Sequence, residues 1–82
     1  MKFDTVEKAK RILPSFVMRL ADGISDIHVL RHRVDQEHER LTSEMMDKLN
    51  ETHSKTYVTE EIKEIARKRT QLSNFLELTQ GN

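Results

Sequence analysis

Leu20, Ile27, Val34 and Leu41 recur at seven-residue intervals, with Val17, Ile24 and Met45 three or four positions away. Such spacing gathers apolar side chains along one stripe of an α-helix. A second stripe, made of Ile62, Ile65, Ala66, Leu72 and Leu76, is shorter. Two antiparallel helices of unequal length do not cover each other. The pattern therefore predicts a helical protein in which part of the longer stripe needs another partner.

Size sharpens that expectation. A chain of 82 residues is one small domain, burying only about 60–65% of the surface it exposes when unfolded. Domains this small are commonly stapled by disulfides, a metal or association. The chain has no cysteine, which removes disulfides and thiolate metal sites and leaves association. Fourteen basic and fourteen acidic residues cancel, so no global field draws the protein to nucleic acid or an anionic membrane. No apolar run is long enough to cross a bilayer. Asp4, Glu7, Pro14 and Arg19 spoil the start as a signal peptide, and a cytoplasmic location is the default expectation.

The order of elements follows from caps and breakers. Asp4 or Thr5 opens a short helix over about residues 5–13, in a stretch resembling a capping box through Glu7. Pro14 breaks or kinks the chain, and it also suits the first turn of a new helix. A long helix is expected from about 14 to 50, with Gly23 as a defect costing roughly 1 kcal/mol relative to alanine. The polar stretch Asn50–Thr56 reads as the hairpin loop. Thr59 caps a third helix ending near Thr79, with Glu60 and Glu61 in its first turn, where the helix dipole favours acids. No internal repeat, low-complexity tract or strand alternation interrupts this scheme.

Folding the two longer helices about Ser54 sets a register. Met45 and Met46 then face Ile62, with both methionines read as core filler. Leu41 meets Ile65 and Ala66, Val34 meets Leu72 and Leu76, Arg31 falls opposite Glu77, and Arg69 opposite Glu37 or Glu39. Above Arg31 the third helix has run out. Phe16, Val17, Leu20, Ile24, Ile27, Leu30 and Arg31 are the candidate interface residues, only partly covered by Phe3, Val6, Ile12 and Leu13.

Few residues carry chemistry. His28, His32, Asp35 and Glu39 share one face of the long helix. Metal sites in bundles, however, draw ligands from facing helices, so a solvated face is the better reading. Arg31 and His38 sit at seam positions: Arg31 reads as an edge residue reaching solvent, and His38 equally well as edge or as specifying a partner. Arg67, Lys68 and Arg69 are candidate nucleic-acid contacts, but Glu60, Glu61 and Glu64 interleave with them and no aromatic platform accompanies them. No phosphate loop, nucleophile elbow or triad is recognisable. The chain is read as a non-enzyme, with no metal and no cofactor.

Phe3, Thr5, Ala9, Leu13 and Pro14 together resemble the opening of an uncharacterised prokaryotic family known as domain of unknown function 2203. Its members begin Phe-Thr-x-x-Glu-Ala-x-x-x-Leu-Pro and continue into a long charged helix that doubles back. Here Asp4 is inserted after Phe3, Lys8 replaces the acid before Ala9, and the family's later Gly- and Trp-containing segment is missing. The resemblance implies a helical hairpin and no activity. Helical hairpins that dephosphorylate sporulation response regulators are similar in outline only. Their Ser-x-x-x-Leu-Asp motif is absent from Ala66–Ser73.

The sequence thus predicts an all-α domain spanning residues 1–82, a short helix followed by a long hairpin, forming a four-helix bundle on dimerisation. Its expected role is a non-catalytic module that self-associates through the seam of the long helix. The alternatives are an adaptor that docks a helix of another protein and, last, a small nucleic-acid-binding protein.

Overall fold

A computed structural model describes residues 3–51 and 60–80. It is all-α, with three α-helices: α1 (Val6–Lys10), α2 (Ile27–Glu51) and α3 (Glu60–Leu78). A 3₁₀ helix, Ser15–Ala21, lies between α1 and α2. Among the described residues there is no strand, and no helix is long and apolar enough to cross a membrane.

The first cap falls on Thr5, whose Oγ1 accepts the Lys8 N–H at 3.2 Å. That puts Lys8, rather than Glu7, at the third helical position, so the capping box expected at Glu7 is replaced by a simple cap. The helix is also shorter than 5–13. Its end tightens through bonds from the Arg11 and Ile12 N–H groups to the Lys8 and Ala9 carbonyls. Pro14 then takes φ −57° and ψ 142°, an extended conformation that breaks the chain outright.

The long helix begins at Ile27, not at Pro14, which corrects the expected 14–50 span. Asp22 has φ −64° and ψ 126°, Gly23 has φ 72°, and the Ile24 N–H donates to the Ala21 carbonyl. Those angles and that bond make Ala21–Ile24 a type II turn, whose third residue needs the positive φ that glycine adopts without steric cost. Asp26 then starts α2, its Oδ1 accepting the His28 N–H at 2.8 Å. Gly23 is therefore a turn residue and not a helix defect.

This turn sends the N-terminal segment back across the hairpin. Val6, Ala9, Leu13, Val17 and Ala21 join Leu30, Val34 and Leu41 of α2 and Ile65, Leu72 and Phe75 of α3 in one core. The small Ala9 and Ala21, 0% and 1% exposed, let the segment lie close to its neighbours. The surplus apolar length of one helix is thus absorbed within the chain. The expected loop from Thr52 onward and the expected cap Thr59 lie outside the described residues.

Candidate interaction surfaces

The seven residues expected at an interface sit where the N-terminal segment meets the hairpin. Val17 and Leu30 are fully buried inside the chain's own core. Phe16, Leu20, Ile24 and Ile27 are half-buried and packed on that core. Arg31 is half-buried and spends its guanidinium on the end of α3 rather than on solvent alone. Its Nε donates to Thr79 Oγ1 at 3.1 Å and its Nη2 to the Leu76 carbonyl at 3.2 Å. The Thr79 hydroxyl donates in turn to the Phe75 carbonyl at 2.8 Å. A guanidinium from α2 thereby caps the Leu76 carbonyl, in the last turn of α3.

Charge closes the same junction. The Lys68 ammonium lies 5.4 Å from the centre of the Phe16 ring, joining α3 to the 3₁₀ segment by a cation–π contact. Glu37, only 12% exposed, accepts two bonds from Arg40 at 2.7 and 2.8 Å, and Arg40 also reaches Glu44 at 3.3 Å. These bonds, and the fields of Arg40, Arg19 and Lys68, hold the Glu37 carboxyl below its usual range although burial opposes them. The Arg40 guanidinium is pushed upward in return. A carboxylate held low stabilises the fold above its unfolded pKa and loses that contribution as pH falls through the folded value. For Glu37 the loss lies below about pH 4.5. Arg40 is 59% exposed, so the pair is worth about 0.2–1 kcal/mol. Glu37→Gln is expected to lower stability by that amount at pH 7 and by progressively less as pH falls below about 4.5, as read from urea unfolding.

Beyond this junction Arg69 takes partners other than the expected ones. Arg69 bonds Thr42 Oγ1 at 2.9 Å and Met45 Sδ at 3.8 Å rather than facing Glu37 or Glu39. Lys48 pairs with Glu61 at 2.7 Å. Met45 is half-buried, but Met46 is 51% exposed and Leu49 39% exposed. Met46 is therefore not core filler. Successive residues on a helix point about 100° apart, so a seam that takes Met45 cannot also take Met46.

The basic run does not form one cationic surface. Arg67 grips both Glu64 oxygens at 2.6 and 2.7 Å, which holds the Glu64 carboxyl below its usual range. Lys68 covers Phe16 and Arg69 points into the hairpin seam. His28, His32 and Asp35 line an open groove with Arg31 and Leu76, while Glu39 stands apart from it. Among the described residues no group of three or more His, Cys, Asp or Glu could hold a metal ion. His38 is half-buried on α2.

No known family, curated protein or solved structure matches this chain. The resemblance of residues 3–14 to an uncharacterised family's opening rests on those residues alone.

Proposed function

We propose that the chain is a non-catalytic helical interaction module that binds a second copy of itself, and that the contact lies at the outer end of the hairpin. The observation that carries this reading is Met46, half exposed on α2 beyond the core contacts of the N-terminal segment, with exposed Leu49 on the next turn. Methionine is the side chain best able to adapt to a partner's surface. Two hairpin ends placed side by side about a two-fold axis set each Met46 against its counterpart and bring four helices together at the joint. A formal net charge of zero raises no long-range repulsion between copies.

A patch this small belongs with weak, transient interfaces. Sedimentation velocity is expected to show a mass rising from one chain toward two over roughly 10–1,000 µM. Met46→Glu is expected to hold the chain monomeric over that range without loss of helicity. Wild-type protein that sediments as one chain throughout overturns the reading.

A further inference from the structure

His28 and His32 stand one turn apart at the start of α2 and line the same open groove. Residues four apart on a helix have Cβ atoms about 5–6 Å from each other. That spacing lets two imidazoles reach one ion at about 2.0–2.1 Å, and the same His-x-x-x-His pair holds zinc on the helix of metalloproteases. Both side chains are exposed, whereas Leu30 and Val34, each about 200° round the helix from one of them, are fully buried. The buried pair fixes the rotation of α2 and keeps both histidines on its outer face. His28 lies near the helix start, where fraying would spoil the spacing. The Asp26 carboxylate accepts the His28 N–H at 2.8 Å and holds it in the first turn.

The groove also accommodates a cation. Arg31 lines it but turns its Nε to Thr79 and its Nη2 to the Leu76 carbonyl, where the negative end of the α3 dipole offsets its charge. Asp35 lines the groove as well and follows His32 by one turn on the same face. Its carboxylate adds negative charge and offers an acceptor for an imidazole N–H, the usual outer partner of a metal-bound histidine.

We propose that His28 and His32 chelate one divalent transition-metal ion, Cu²⁺ most tightly, with water in the remaining positions. Imidazole suits copper, nickel and zinc, and affinity along the divalent series peaks at Cu²⁺. Two protein ligands make an exchangeable surface site, unlike the closed ligand set of a structural zinc centre. Val29 follows His28 where the metalloprotease helix carries glutamate, so the pair lacks the general base of a hydrolytic centre. Met46 lies near the other end of α2, and metal binding here does not depend on self-association.

Isothermal titration calorimetry of the whole chain with Cu²⁺ tests the site. Binding is expected to weaken about tenfold or more in both His28→Ala and His32→Ala, since losing a group that merely orients a ligand already costs about 10–100-fold. Neither change threatens the fold, because both side chains are exposed and Asp26 holds only the backbone of His28. The paired geometry exists only in the folded helix, so Cu²⁺ is expected to raise the urea midpoint of the wild type more than that of either variant. Absence of Cu²⁺ binding, or binding that either variant leaves intact, overturns the proposal. A rise in midpoint that is the same for all three chains also overturns it, by placing the ion on other groups.

Discussion

Replacing Phe75 by alanine is expected to remove about 3–5 kcal/mol of stability. Phe75 is the largest fully buried side chain described, 1% exposed, on the face of α3 that meets both the N-terminal segment and α2. Truncation leaves a cavity that the N-terminal segment around Ile12 and Pro14 and the hairpin would have to close, while Asp26 fixes the start of α2 and Arg31 the end of α3. A domain of 82 residues holds about 4–12 kcal/mol in total, so the loss is about a quarter of that at the least and all of it at the most. Urea unfolding followed by circular dichroism measures this directly. Leu76, one residue on and half-buried, is expected to lose clearly less on the same change. Equal losses at the two positions would mean that α3 presents a different face to the core.

The all-α class, the three α-helices and the hairpin were legible because they rest on strong local signals. A heptad stripe, acids at Glu60 and Glu61 and the breaker Pro14 each speak through one or two neighbours. The placement of Arg31 near the end of α3 was legible for a related reason, since loop position fixes register roughly. The break after Ala21 was misread. Periodicity reports phase, not continuity, and the stripe from Val17 to Leu41 keeps its phase through a reversal of the chain. The contrary signals were present: Asp22-Gly23 is a turn dipeptide, and Asp26 just before Ile27 is a helix cap. A glycine weakens a helix, and the same residue at Gly23 is the favoured one in a type II turn.

Site residues were less legible, because a helix separates what the sequence sets side by side. Arg67, Lys68 and Arg69 are adjacent in sequence and go to a carboxylate, an aromatic ring and a hydroxyl. Met45 and Met46 divide between seam and solvent in the same way. Conversely the fields of Arg19 and Lys68, from two other elements, reach Glu37 of α2, and no spacing along the chain announces that.

Val17 separates the two accounts of the N-terminal apolar stripe. If that stripe were an interface between copies, Val17→Asp would give a folded monomer. Val17 is instead 0% exposed within its own chain, so the substitution forfeits about 1.5 kcal/mol or more of apolar burial and introduces a carboxylate with no partner. At pH 7 the variant is expected to be largely unfolded, or to carry a detached N-terminal segment, at every protein concentration. The buried carboxyl escapes its penalty by taking up a proton, which raises its folded pKa above about 3.9. A native state that binds more protons than the unfolded one gains stability as pH falls. Val17→Asp should therefore recover on acidification toward about pH 5, opposite in sign to the acid loss expected at Glu37. Helicity and urea midpoints at pH 7 and pH 5, each at two protein concentrations, distinguish the cases. A Val17→Asp chain that is helical, monomeric and as stable as wild type at pH 7 would place this residue on the surface and undo the folded-back arrangement.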